Sequence, residues 1–184
     1  MALSLNGTSN GSLNNLSLTT NTGTVVDTSV NPFLAYDSYY LNANQTANAS
    51  PITNWSRRPS SYVQIGGAMT LSTGVFTFPV TGIWLIRYKI FWNFTATAND
   101  QYQAYIRTGT SGTPDTSAEG IVEGGGTSGD HLGVTSTQLL FDVTDTTNCV
   151  VDFTIDSIGT GNFLVGGSTS YSSTSVEFTK MGET

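Results

Sequence analysis

The chain has 184 residues, of which 38% are hydrophobic and only 10% are charged, and its formal net charge is −7. Its 6 basic residues are too few for a protein that binds duplex DNA or RNA, and no apolar run reaches the roughly 18 residues of a membrane span. The 30 Thr, 21 Ser, 14 Asn and 20 Gly favour strands and turns over helices. We therefore expect one all-β domain, with no nucleic acid and no membrane among its partners.

The opening residues and the cysteine content indicate where the chain is made. Residues 1–7, MALSLNG, have neither the basic region nor the continuous apolar region of a secretory signal peptide. Cys149 is the single cysteine, which excludes an intrachain disulfide and a zinc site built from several cysteines. We expect synthesis in a reducing cytoplasm, with Cys149 as an inert buried thiol.

The first 29 residues are predicted to form an extended N-terminal arm, and residues 30–184 to form the domain. The arm is polar and carries almost no charge, so it cannot bury enough apolar surface to hold one shape by itself. We expect it to bind a partner chain, with its irregularly spaced leucines filling shallow pockets: Leu3, Leu5, Leu13, Leu16 and Leu18. The alternative is a few short strands folded onto the protein's own body.

From residue 30 onward the hydrophobic pattern has a period of two, which is typical of strands. The pattern predicts strands over 30–41, 62–65, 68–71 and 75–78, and a loop over 42–61 that carries Trp55. The clearest strand spans 82–94, and its even positions are all apolar or aromatic, so they are predicted to face a core: Trp84, Ile86, Tyr88, Ile90, Trp92 and Phe94.

The second half of the chain continues the same pattern. We predict strands over 101–107, 138–143, 149–156, 162–165 and 171–181, with a long loop over 108–133 and a turn over 144–147. The predicted inward residues of these strands are Tyr102, Ala104, Ile106, Leu139, Phe141, Val143, Cys149, Val151, Phe153, Ile155, Val176 and Phe178. Short strands separated by turns predict an antiparallel β-sandwich or jelly roll.

Residues 74–92, GVFTFPVTGIWLIRYKIFW, contain an aromatic strand, a proline, a glycine turn and a long aromatic strand. This order resembles the central signature of the C1q/TNF-like jelly roll. Residues 137–155 resemble its strand–turn–strand element with an acidic turn. The opening MALSLNGT and the closing STSVEFTKMGE are similar to those of virion proteins from tailed phages, notably marine and cyanobacterial ones.

The resemblance implies a homotrimer, in which three jelly rolls pack around a threefold axis through an aromatic and aliphatic face. The odd positions of strand 82–94 form a second, mixed face that suits such packing. The candidate trimer-interface residues are Ile83, Leu85 and Phe91, with Phe33, Tyr39 and Tyr40 as further candidates.

No residue pattern predicts catalysis or a cofactor. His131 lies beside Asp130 in the predicted loop, and no G-x-S-x-G element accompanies it, so we expect a solvated histidine and no enzyme. Calcium is an alternative for the acids of the same loop, although solvated loop charges are the default: these are Asp115, Glu119, Glu123 and Asp130.

Tryptophan rings can serve as platforms for sugar stacking, and the chain has three of them. Trp84 and Trp92 belong to the inward face and are expected in the core, whereas Trp55 is a weak candidate for a ligand or interface contact.

Together these expectations describe a structural phage virion protein. It would act on the capsid surface as a trimeric decoration (cement) protein or a short head appendage, with its arm bound to the major capsid protein or another virion protein. The alternative is a receptor-binding fibre-tip or tail-appendage module that recognises host-surface glycans.

Overall fold

The computed structural model describes residues 35–57, 62–94, 100–124, 131–156, 158, 163–164 and 173–184. Within these residues the chain forms eleven β-strands and no helix. The strands are β1 (Ala35–Leu41), β2 (Trp55–Ser56), β3 (Thr70–Ser72), β4 (Val75–Thr77), β5 (Gly82–Phe94), β6 (Asp100–Gly109), β7 (Asp115–Gly124), β8 (His131–Val143), β9 (Val150–Asp156), β10 (Phe163–Leu164) and β11 (Ser175–Gly182).

The strands form two antiparallel sheets. Sheet A has the order β8-β5-β11-β1-β2, and sheet B has the order β3-β4-β9-β6-β7. Strand β8 pairs with β5 along one side. On the other side, β11 pairs with residues 83–89 of β5, and β10 pairs with Trp92 and Asn93 near its end. The predicted all-β class and antiparallel sandwich are confirmed.

Strict alternation along β5 creates the core-facing side of sheet A. Trp84, Ile86, Tyr88 and Ile90 are fully buried, while the odd residues between them are partly buried or exposed. Trp92 is half-buried and packs against the core, over Gly133 of the paired strand β8, where a Cβ would lie 2.1 Å from the indole ring. The inward face predicted for these residues is confirmed, and the side chain of Phe94 lies outside the described residues.

The centre of the sandwich is a cluster of aromatic rings contributed by both sheets. Phe153 of β9 contacts the rings of Phe76, Tyr88 and Phe178 at centroid distances of 5.7, 5.1 and 5.9 Å. Burying one such ring contributes roughly 1.5–3 kcal/mol, and offset or edge-to-face contacts add to this. The inward positions predicted for Phe153 and Phe178 are confirmed, because both are fully buried, and Phe76 is buried with them.

Three predictions about local structure are wrong. Residues 108–133 are not one long loop, because β7 occupies 115–124 and β8 begins at 131. Strand β7 pairs with β6 along its length, so backbone hydrogen bonds hold a strand that lacks strong hydrophobic alternation. Residues 62–65 form no strand and make only an isolated bridge between Ile65 and Tyr36. Trp55 belongs to β2 rather than to a loop.

The N-terminal boundary stays a prediction. The first strand is observed over Ala35–Leu41, whereas residues 30–34 of the predicted strand lie outside the described residues. The arm of residues 1–29, with Leu3, Leu5, Leu13, Leu16 and Leu18, also lies outside them.

The turn between β3 and β4 supplies a stability prediction. Thr73 and Gly74 both have positive φ, at 49° and 89°, as the central residues of a type I′ hairpin turn do. This conformation is costly for a β-branched residue, so Thr73→Asn should raise the free energy of unfolding by roughly 0.5–1 kcal/mol.

Gly74→Ala is the opposite variant in the same turn. It should lower the free energy of unfolding by roughly 1–3 kcal/mol, because a Cβ would lie 2.6 Å from the Ile52 carbonyl oxygen. Urea denaturation at one fixed protein concentration measures both effects. Equal stability of the two variants would contradict the assignment of the turn.

Candidate functional site

The outer face of sheet A carries exposed apolar side chains at both ends. Leu140 of β8 pairs with Leu85 of β5, and Val134 pairs with Phe91, so each pair projects from the same side of the sheet. Leu132, Val134 and Leu140 are about 60% exposed, with values of 60%, 59% and 63%. Apolar side chains gathered on one exposed face are typical of an interaction surface.

The middle of this face is polar. Arg87 donates from Nε to Gln138 Oε1 at 3.2 Å, and its Nη1 lies 3.9 Å from Glu177 Oε2. A shallow groove of 420 Å³ runs over this region between β8, β5 and β11. Both partners of the Arg87–Glu177 pair are substantially exposed. In the single chain the pair therefore contributes less than about 1 kcal/mol to the free energy of unfolding.

The structure brings together some of the predicted trimer-interface residues and separates others. Ile83, Leu85 and Phe91 share the outer face of sheet A and are partly buried; their contact with a second copy stays a prediction. Phe33 lies outside the described residues. The prediction is wrong for Tyr39, which packs inside its own chain against Phe76 at 4.9 Å.

Tyr40 also offers little surface to a second copy. It alternates with Tyr39 and therefore lies on the outer side of β1, but its side chain is only 7% exposed. The sequence pattern of aromatic residues at 39 and 40 could not show which of them the rest of the chain covers.

Trp55 is a core residue and not a ligand platform. It is 5% exposed, and its ring contacts Tyr88 at 6.0 Å and Phe153 at 5.7 Å. Trp55 has polar neighbours in the sequence, so the local pattern predicted a loop. The short strand β2 pairs with the end of β1, and this pairing directs the indole into the core.

Four of the five candidates for catalysis or calcium lie on strands rather than in one loop. Asp115 begins β7, Glu119 and Glu123 follow along it, and His131 is the first residue of β8. Asp130 lies outside the described residues. Within the part of the chain that the structure describes, no three His, Cys, Asp or Glu residues converge on a point that could hold a metal ion. Cys149 is fully buried, as predicted.

Two buried carboxylates were missed by the sequence reasoning. Asp37 projects inward from β1 and accepts hydrogen bonds from Arg57 Nη2 at 2.7 Å, from the Met69 N–H at 2.8 Å and from the Tyr62 hydroxyl. The Arg57 guanidinium also lies 4.5 Å from the centre of the Tyr39 ring. This network compensates the cost of burying a charge, which indicates a structural role.

Asp152 of β9 is the second buried carboxylate. Its two oxygens accept hydrogen bonds from Arg107 Nε at 2.7 Å and Nη2 at 2.5 Å. The two residues are directly paired across β6 and β9, so the sheet register produces this bidentate geometry. The sequence signal for it was the pair of charged residues itself, Arg107 and Asp152, at positions that alternate with the inward residues of their strands.

Burial of tyrosines makes stability depend on alkaline pH. Burial, with a further contribution from the hydrogen bond to Asp37, raises the pKa of Tyr62 to about 12. Burial also raises the pKa of Tyr88 and, together with the charge of Asp37, that of Tyr39. In the unfolded chain these hydroxyls ionise near pH 10. Their stabilising contribution is therefore fully present below about pH 10 and is lost as pH rises further.

We expect the melting temperature to be steady up to about pH 10 and to fall steeply between about pH 10 and 12. Tyrosinate absorbance should then appear together with the loss of near-ultraviolet circular dichroism. If all the tyrosines ionised near pH 10 while the dichroism stayed native, the burial described above would be contradicted.

Solved structures share this arrangement of sheets. The crystal structure of murine APRIL at pH 8.5 matches with a TM-score of 0.54 at 11% identity, covering 79% of this chain and 98% of that chain. Eiger TNF from S. frugiperda matches with a TM-score of 0.56 at 13% identity, covering 83% and 95%. The chain has a TNF-like jelly-roll fold. At such identities the likeness to TNF-like proteins concerns the fold alone.

The fold predicted from the C1q/TNF-like resemblance is therefore confirmed. No family model matches the chain, and no curated protein matches it in sequence. The described residues include no helix with the length and apolar character needed to cross a bilayer.

Proposed function

We propose that the chain is a trimeric structural protein of a tailed-phage virion, acting on the capsid surface as a decoration protein or short head appendage. One observation supports the proposed trimer. The outer face of sheet A exposes Leu132, Val134 and Leu140 beside the partly buried Leu85 and Phe91. Packing three copies through this face would remove those side chains from water. Such burial stabilises an assembly by about 25 cal/mol per Å² of apolar surface.

The polar middle of the same face is compatible with such packing. It carries Arg87 and Lys89 together with Glu177, so the face holds both signs of charge and can complement itself in a symmetric assembly. Arg87 and Glu177 are only 3.9 Å apart at their charged ends and are exposed, so either can turn to a neighbouring copy.

The virion assignment has different support, which comes from the sequence. The opening MALSLNGT and the closing strand resemble tailed-phage virion proteins, and a polar arm with scattered leucines suits attachment to a neighbouring chain. Each arm would bind weakly, because ordering its backbone costs about 1–2 kcal/mol per residue. Three arms on one trimer would bind together through their high effective concentration. The role is mechanical and requires no catalytic residue.

The number of copies per virion tests this function. A decoration protein covers the shell and should be present in hundreds of copies, which gel densitometry against the major capsid protein measures. A few copies per particle would contradict the proposal and would favour the receptor-binding fibre tip. Immunogold labelling would separate the two as well, because a decoration protein marks the head and a fibre tip marks the tail.

The arm supplies a separate prediction. A variant lacking residues 1–29 should fold and assemble like the full chain, because the first described strand begins at Ala35. It should lose most of its affinity for particles that lack the protein, at least about tenfold, because the leucines of the arm are the proposed contacts. Bound copies after sedimentation measure this. Equal occupancy by the truncated and full-length chains would show that the domain itself makes the attachment.

A further inference from the structure

A polar groove lies on the outer face of sheet B, the face directed away from the core and from sheet A. It has a volume of 470 Å³, within the range of about 300–1,000 Å³ that is typical of ligand sites. Its lining comes from β6, β9 and the segment before Pro51, and includes Asn48, Ser50, Tyr105, Arg107, Thr154 and Asp156. We propose that this groove binds a neutral saccharide.

The sheet register aligns the floor of the groove. Tyr105 is paired directly with Thr154, and Arg107 is paired with Asp152, so these side chains form two adjacent rows on one face. Tyr105 is half-buried, and its hydroxyl donates to Gln103 Oε1 at 2.9 Å, which orients the ring. An oriented aromatic ring beside polar groups can pack against the C–H face of a sugar.

The polar groups of the groove are held in place by other residues. Arg107 uses Nε and Nη2 on Asp152, and the described residues leave its Nη1 without a hydrogen-bond partner. Asn48 donates from Nδ2 to Asp156 Oδ1 at 2.6 Å and accepts the Ile158 N–H at 2.8 Å. Fixed planar groups of this kind lose little side-chain entropy when a ligand binds.

Two hydroxyl groups complete the hydrogen-bonding set. Within the described residues, neither Ser50 nor Thr154 makes a side-chain hydrogen bond, and both line the groove. A hydroxyl both donates and accepts, as a sugar hydroxyl does, so the groove offers donors, acceptors and amphoteric groups side by side. This combination suits a ligand with many hydroxyl groups.

Charge selects a neutral ligand over an anionic one. Among the described residues that line the groove, Arg107 is the one cation; it is already paired with Asp152, and Asp156 adds a further carboxylate. The whole chain has a net charge of −7, which also repels anions. An apolar ligand would leave these polar groups unpaired, which costs free energy.

This inference goes beyond the proposed virion role and does not rest on it. The groove belongs to sheet B, whereas the proposed trimer contacts belong to the outer face of sheet A. Saccharide binding can therefore succeed or fail in purified protein regardless of trimer formation or particle attachment.

The experiment applies the purified full-length protein to an array of neutral and acidic oligosaccharides, followed by calorimetric titration with the neutral disaccharide that is retained best. We expect retention on neutral glycans and weaker retention on sialylated or sulfated ones. Tyr105→Ala should weaken binding roughly tenfold, and Thr154→Val should weaken it about 2–10-fold through the loss of one hydrogen bond.

Thr70→Val is the matched control, because Thr70 is an exposed residue of β3 in the same sheet and does not line the groove. It should bind as the unmodified chain does. Thermal unfolding of each variant checks that the fold is retained. Retention of no neutral glycan, retention of acidic glycans alone, or equal affinity in Tyr105→Ala, Thr154→Val and Thr70→Val would each overturn the proposal.

Discussion

Replacing Leu140 with Glu is expected to convert the proposed trimer into a monomer. Light scattering at micromolar concentration should give about 58 kDa for the unmodified chain, which is three times its 19.5 kDa, and 19.5 kDa for the variant. Leu140 is 63% exposed on the outer face of sheet A, so the single chain tolerates a charge there. An interface would replace an apolar contact of Leu140 with a charge removed from water, which costs several kcal/mol and weakens association roughly a thousandfold or more.

Val63→Glu is the matched control for Leu140→Glu. Val63 is 59% exposed, close to the value for Leu140, but it lies in the segment 62–64 outside the strands of sheet A. The same introduced charge at this exposed position should leave the proposed trimer intact. A monomeric unmodified chain, or a trimer that persists in Leu140→Glu, would contradict the assignment of the interface to this face.

Replacing Arg107 with Met is expected to lower the free energy of unfolding by about 3–5 kcal/mol. The side chain of Asp152 is only 2% exposed, and Arg107 supplies both of the side-chain hydrogen bonds that the described residues make to it. Methionine keeps much of the side-chain volume but leaves the carboxylate buried without its cation. Urea denaturation measures the loss, at a fixed protein concentration because the proposed assembly would also contribute to apparent stability.

Arg57→Met is the matched comparison, since it removes the cation from the other buried carboxylate. Asp37 keeps the Met69 N–H, the Ser38 N–H and the Tyr62 hydroxyl as donors, so this loss should be smaller, roughly 1–3 kcal/mol. The double variant Arg107→Met with Asp152→Leu should recover most of the loss caused by Arg107→Met alone. An Arg107→Met effect below that of Arg57→Met would show that Asp152 gains little from its partner.

The alternation of residue types along the chain determined the sandwich. Residues 82–94 place apolar side chains at every second position, and this pattern predicted both the limits of β5 and its buried face. The same reasoning held for the inward residues of β6 and β9, and for the turn after β8, where Asp145 accepts the Thr147 N–H at 2.8 Å. Such features depend on neighbours in sequence, so local patterns predict them.

Only the tertiary structure decided which residues without a clear pattern belong to strands or to the core. Strand β7 exists because β6 supplies hydrogen-bond partners along its length, although its own Ser, Thr and Gly residues predict a loop. Trp55 and Tyr39 lie in the core because distant strands cover them, and Asp37 can be buried because Arg57, Tyr62 and Met69 converge on it. These contacts join residues far apart in sequence, so their free energy leaves no periodic signal in the chain.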